Sequence, residues 1–158
     1  MSFAKAQEKS IILVAEVLRY SSCSDDRIPG EIAGFTWGYL LPFAKFPFLE
    51  GKVARDSSYI DEVAVDKTKR LSGVGRALCN SYREIARQQG IEQLVLRTNI
   101  SNTASVGLFT NIGFRPIYAK EREGFHENDD LKVFDPDYSD RFYFERRVGE
   151  SVGEQNDR

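Results

Sequence analysis

The sequence predicts a mixed α/β (α+β) domain: one twisted, partly parallel sheet with flanking helices. Three observations carry that prediction. Residues 59–65, a helical stretch between Gly73 and Gly90, and residues 91–98 read as strand, helix, strand, the signature of a right-handed parallel crossover. Two runs, 11–20 and 31–41, flank a polar turn and read as an antiparallel hairpin. An aromatic run at 141–148 supplies a closing strand. A chain of 158 residues suits one domain and can bury a real core, so residues 1–148 are assigned to it. Residues 149–158 are polar and are expected to be a disordered tail.

Each element has its own signal. Residues 3–10 read as a short helical remnant, and 11–20 as a β-type run. The turn 21–30 ends in Pro29 and Gly30, and 31–41 alternates Ile32, Gly34 and Thr36 against Ala33, Phe35, Trp37 and Tyr39. Residues 41–58 hold Pro42, Pro47 and several aromatics without a period, which reads as an irregular loop with an apolar face. In the helix, Val74, Ala77, Leu78, Tyr82, Ile85 and Ala86 form the apolar stripe, and Gly90 is the stop signal. A second short helix, 103–112, ends at Gly113, and 114–120 resumes as a strand. The insert 121–140 is acidic and poorly periodic.

Composition narrows the functional classes. A formal charge of −2 makes no electrostatic case for nucleic acid as a partner. No apolar run approaches the ~20 residues that span a bilayer, which argues against a membrane role. Cys23 and Cys79 are far apart and outside any CxxC pair, so they are read as reduced thiols of a cytoplasmic protein. The lone histidine, His126, lies in a polar stretch, and no metal-ligand set accompanies it.

The strongest chemical signal runs Arg70, Leu71, Ser72, Gly73, Val74, Gly75, between a strand and a helix. Glycines there leave backbone N–H groups unshielded, and a helix start adds partial positive charge, which together suit a phosphate or pyrophosphate. Lys67, Lys69, Arg70 and Arg76 add long-range attraction for a polyanion. A sterically required two-glycine turn is the plainer alternative. Two other phosphate motifs fail: the dinucleotide fingerprint needs a small residue where Leu78 stands, and a Walker loop needs Lys and Ser/Thr where Arg76 and Ala77 stand.

At these residues the chain resembles the GNAT superfamily of acetyltransferases. The strand end Val63, Ala64, Val65, Asp66 is followed by Arg70 to Gly75 and then Arg76, Ala77, Leu78, matching the family's Arg/Gln-x-x-Gly-x-Gly/Ala signature. Downstream, Asn102, Phe109, Gly113 and Phe114 match a second family pattern at the right separation. The resemblance implies acetyl-CoA bound in a V-shaped gap between two splayed parallel strands. Main-chain groups of Val63, Ala64 and Val65 would line the pantetheine, the N–H groups of Leu71, Ser72, Gly73, Val74, Gly75 and Arg76 would hold the pyrophosphate, and Asn102 would reach the pantetheine arm. An amine acceptor would then attack the thioester directly, with the Val65 N–H as oxyanion donor.

Such chemistry needs a neutral amine and a base. Asp61 and Glu62 precede Val65 on the same strand; simple alternation puts them on opposite faces, and Glu62 is the favoured base over Asp61, with a solvated strand-edge carboxylate as the plainer alternative. The family usually carries tyrosine, as general acid, where Phe109 stands; Tyr118 or a water would be the substitute, with a core or surface role as the plainer alternative for Tyr118. The family also has a strand and two helices before the hairpin, and these help wall the acceptor pocket. That wall is expected from residues 41–58, from 121–140, or from the second subunit of a homodimer. The acidic insert, if it lines the cleft, favours a cationic acceptor, and Trp37, Phe43, Phe46 and Phe48 are either an apolar acceptor wall or core. The expected function is N-acetyl transfer to an amine; the alternatives are an acyl-CoA-binding sensor without turnover and an interaction domain that binds no CoA.

Overall fold

The computed structural model describes residues 10–20, 27–28, 30–117, 135–137 and 140–150. The elements are β1 (Ile11–Glu16), β2 (Arg19–Tyr20), β3 (Arg27–Ile28), β4 (Ile32–Leu40), β5 (Ser57–Val65), α1 (Val74–Gln88), β6 (Gln93–Asn99), α2 (Thr103–Asn111), β7 (Arg115–Pro116) and β8 (Arg141–Arg147). Among the described residues six strands form one sheet in the order β1-β4-β5-β6-β8-β7, and β2 pairs with β3 as a small extension of the hairpin. Among the described strands only β5 and β6 run parallel, because α1 carries the chain back across the sheet between them. The predicted mixed sheet with flanking helices is therefore present. The expected helix at 3–10 falls, apart from Ser10, outside the described residues, as do 118–134 (Tyr118 included) and 151–158.

Strand alternation builds two cores. Ile60, Leu96 and Phe144 face the helices and pack with Cys79, Tyr82, Ala86 and Phe109. Their immediate neighbours Tyr59, Val95 and Tyr143 face the opposite way, onto Leu41, Leu49 and Val53. Residues 41–57 thus cover the second face of the sheet, with Phe43, Phe46 and Phe48 packed against that cluster, so these rings are core. Each large apolar side chain fully buried in this way contributes about 1.5–3 kcal/mol. Helix α1 turns a slightly different stripe inward than its sequence suggests: Leu78, Cys79, Tyr82 and Ala86 are buried, while Ala77 is exposed. Burial raises the Cys79 thiol to about 12, so it is an inert core group. Among the described residues no helix is long and apolar enough to cross a membrane.

Two irregularities coincide at one point of the sheet. The β5–β6 ladder pairs Ser57 to Ile60 with Gln93 to Leu96 and then stops. In the β4–β5 ladder, Gly38 pairs with Ile60 but Trp37 pairs with Glu62, leaving Asp61 as the extra residue of a bulge. A bulge bends its strand. Beyond it β5 stays with β4, down to Gly34 opposite Val65, while β6 stays with β8, down to Asn99 opposite Arg141. The two parallel strands therefore diverge into an open V.

Candidate active site at the strand splay

The V presents backbone on one side. Asp66 N–H donates to the Ala33 carbonyl at 2.9 Å, which makes that pair a hydrogen-bonded rung. Rungs alternate in an antiparallel ladder, so Ala64 bonds toward β4 while Val63 and Val65 turn their N–H and C=O groups to the open edge. The Val65 carbonyl accepts a long bond, 3.4 Å, from Arg70 Nε.

The chain then turns through a 3-10 segment, Lys67–Lys69, capped by Asp66, whose Oδ1 accepts from the Thr68 N–H at 2.8 Å. Next come two left-handed residues, Leu71 at φ 64° and Gly73 at φ 88°. Leu71 is wholly exposed and its left-handed backbone costs on the order of 1–2 kcal/mol, a strain of the kind that collects at ligand sites. Gly73 opens α1, and the first helical bond runs from the Ala77 N–H back to the Gly73 carbonyl at 2.9 Å. The amides of Val74, Gly75 and Arg76 lie ahead of that bond and have no carbonyl of the helix to meet. Gly75 is closely approached: a Cβ there would stand 3.1 Å from Leu108 of α2. Left-handed backbone, orphan amides and exposed Arg70 and Arg76 make a cradle that fits a pyrophosphate.

Asn102 caps α2, its side-chain oxygen accepting from the Ser105 N–H at 3.2 Å. Phe109 is 6% exposed and packs on Phe114 and Phe144, with ring centroids 5.9 and 6.4 Å away. Its ring is core.

The other side of the V is polar. A cleft of about 270 Å³ is lined by Asp61, Arg97, Thr98, Asn99 and Arg141. The bulge corrects the expected alternation of the two carboxylates. Glu62 stands opposite Trp37, whose ring lies 5.5 Å from that of Tyr39, and the Asp61 charge acts on Tyr39 and Tyr59. Both therefore lie on the face away from α1, and Asp61 is the one that lines the cleft. Burial raises its pKa, opposed by the charges of Arg97 and Lys45 and assisted by Glu62.

Behind the cleft lies a network that the sequence reading missed. Arg97 donates to Asp135 Oδ2, the Tyr143 hydroxyl donates to the same oxygen at 2.9 Å, and the Asp137 N–H donates to Oδ1 at 2.9 Å. An arginine inside an otherwise apolar strand was the available signal, since a half-buried charge requires a partner. Burial alone would raise the Asp135 pKa, but these bonds and the Arg97 charge outweigh it and hold it below the usual range. Its contribution to stability is thus complete above the ordinary carboxylate value of about 4 and is lost as pH falls through the lowered one. Asp135→Asn should cost about 2 kcal/mol in denaturant unfolding at pH 7 and distinctly less at pH 3.

Tyr59 is 1% exposed, and its hydroxyl has no hydrogen-bond partner among the described residues. An unpaired buried hydroxyl is a burden on the fold, so Tyr59→Phe should leave the melting temperature unchanged or raise stability by up to about 1 kcal/mol.

Comparison with known proteins agrees with this geometry. The sequence model described as the acetyltransferase (GNAT) family matches residues 6–114. Among solved structures, the fold resembles the IAA acetyltransferase from Bacillus cereus ATCC 14579 (TM-score 0.55, 16% identity, 91% of this chain and 81% of that one). It also resembles a GNAT-family acetyltransferase from Staphylococcus aureus Mu50 (TM-score 0.51, 17% identity, 83% and 66%). A third likeness is the PaiA N-acetyltransferase from Thermoplasma acidophilum in complex with coenzyme A (TM-score 0.53, 12% identity, 88% and 61%). No curated protein sequence is a significant match. With the family model covering well over half of the chain and its signature residues lying at the splay, the protein belongs to the GNAT acetyltransferase family.

Proposed function

We propose that the chain is an N-acetyltransferase that moves acetyl from acetyl-CoA directly to an amine. The observation that carries this reading is the splay at Asp61, open to the amide cradle on one side and to a carboxylate-bearing cleft on the other. The cradle amides from Leu71 to Arg76 would hold the pyrophosphate, the outward main-chain groups of Val63 and Val65 would align the pantetheine beside Ala64, and Asn102 would meet the arm through its amide nitrogen. Acetyl-CoA supplies an acyl thioester, whose C–S bond is exchanged for a C–N bond as CoA departs.

For the chain's own part, Asp61 takes the proton that the amine loses, directly or through one water, and the Val65 N–H stabilises charge on the acyl oxygen. Asp61 replaces Glu62 as the favoured base because it is the carboxylate lining the cleft. No hydroxyl stands at position 109, so the departing thiolate is protonated by water; a thiol near pKa 8.5 leaves tolerably without help. Calorimetry with acetyl-CoA, followed by thiol-release assays over an amine panel, tests the reading. Binding with turnover supports it. Binding without turnover on any amine points instead to an acyl-CoA sensor, the reading that Phe109 favours, and no binding contradicts both.

A further inference from the structure

Thr36 stands on β4 in a place whose packing suits valine. It is wholly buried, on the face of the strand turned to α1. Its same-face neighbours are both glycines held close under that helix. A Cβ at Gly34 would stand 3.3 Å from Leu78, and one at Gly38 would run into the Tyr82 hydroxyl. Valine has nearly the shape of threonine and brings no polar atom into such a site. A buried hydroxyl is tolerated there because it has a partner: Thr36 Oγ1 donates to the Glu62 carbonyl at 2.9 Å.

That partner belongs to the bulge. In the β4–β5 ladder Thr36 stands opposite Val63, so its bond to Glu62 reaches one residue back, to the peptide just after Asp61. A second buried hydroxyl holds the other side. Ser58 Oγ donates to the Tyr39 carbonyl at 3.2 Å and lies 2.7 Å from the Tyr82 hydroxyl of α1. Asp61 sits between these two tethers. They are not equivalent, because at Ser58 the strand is also paired with β6, through Leu94. Past the bulge β5 keeps β4 as its ladder partner, and there the Thr36 bond adds a side-chain hold on its departing course.

Resting on the reading of Asp61 as the base, we propose that Thr36 is a positioning residue for acetyl transfer. Its hydroxyl fixes the bulge in register and so holds the Asp61 carboxylate in the cleft beside the splay. Without the donor, the Glu62 carbonyl faces apolar surface and the strand shifts to satisfy it, carrying Asp61 along. Thr36 acts through the backbone of β5 and touches neither donor nor acceptor.

The test uses the full chain with saturating acetyl-CoA and the best acceptor of the amine panel. Thr36→Val keeps the volume and removes the donor, whereas Thr36→Ser keeps the donor and removes a buried methyl. Packing and positioning therefore predict opposite orders of activity. Thr36→Val should lower kcat at least about 10-fold with the KM for acetyl-CoA within about 2-fold. Thr36→Ser should keep kcat within about 3-fold although its melting temperature falls below that of the wild type. Should Thr36→Val fail to fold, Thr36→Ala against Thr36→Ser makes the same comparison, and the alanine variant should show the loss. In an Asp61→Asn background Thr36→Val should add less than about 2-fold, because an effect exerted through Asp61 disappears with it. Activity that follows melting temperature, or a loss that persists undiminished in Asp61→Asn, overturns the proposal and leaves acetyl transfer standing. If the wild type acetylates no amine, acetyl transfer falls and an NMR titration of the labelled Asp61 carboxyl decides. Arg97, Glu62 and Lys45, whose charges act on that carboxyl, are unaltered in these variants. A midpoint that drops toward the solvated value in Thr36→Val and stays in place in Thr36→Ser upholds the tether. Equal midpoints overturn it.

Discussion

Gly73→Asp should weaken coenzyme A binding at least about 100-fold while the protein stays folded. The position separates the two effects. A Cβ at Gly73 meets nothing within 4 Å, so the new side chain has room. Its φ of 88° is left-handed, which aspartate tolerates better than most residues, so the cost to stability should be about 1 kcal/mol. What the substitution does change is the charge at the mouth of the cradle, where a carboxylate would face an incoming pyrophosphate and compete for the same amides. Calorimetric titration with CoA beside a thermal melt reads both quantities. A large loss of affinity with a melting temperature within a few degrees is the expected pair of results. Gly73→Ala, which adds strain without charge, should lose much less affinity.

Asp61→Asn should lower kcat by about 10²–10³-fold, within the usual range for removing a general base, with little change in KM for acetyl-CoA. Asp61 is the extra residue of the bulge at which β5 leaves β6, and it lines the cleft into which an acceptor amine must come. Burial raises its carboxyl, so the group takes up a proton more readily than a solvated aspartate. Between about pH 6 and 9 the rate should climb with pH as the amine deprotonates. The variant should show the same climb from a lower floor. Glu62→Gln is the control: opposite Trp37 and outside the cleft lining, it should retain activity within about 5-fold. A reversal of the two results would return the base role to Glu62.

These residues show what a single sequence discloses. The crossover from β5 through α1 to β6 was legible because a helical apolar stripe between Gly73 and Gly90 has few alternatives. The place of the glycine loop between strand and helix was legible for the same kind of reason, since its glycines and its position after a strand are local facts. The bulge was not. An extra residue in one strand is defined only against the partner's register, and Asp61 is compositionally an ordinary strand-end residue. That one slip overturned the alternation argument that set Asp61 and Glu62 on opposite faces. The Arg97–Asp135–Tyr143 network joins β6 and β8 to a residue of the acidic insert, and no spacing rule connects positions so far apart. Phe109 was assigned by its spacing alone, and only packing shows that its ring belongs with Phe114 and Phe144. Residues 41–57 also proved to be a covering layer, because their unperiodic apolar residues find a common partner in the second face of the sheet.

Ile12, Val14, Ile32 and Phe35 are exposed, between 36% and 70%, on one face of the β1–β4 hairpin. Residues 41–57 shield the sheet around β5, β6 and β8, so the hairpin end of that face is where the expected acceptor wall is not supplied by this loop.

The most direct measurement is a backbone amide titration of the isotopically labelled protein with coenzyme A, followed by NMR. If diphosphate sits in the nest after Arg70, the amide signals of Ser72 through Arg76 should move first and farthest, and adding pantetheine without its phosphates should leave them in place. Saturable CoA binding that leaves those five amides undisturbed would contradict the account.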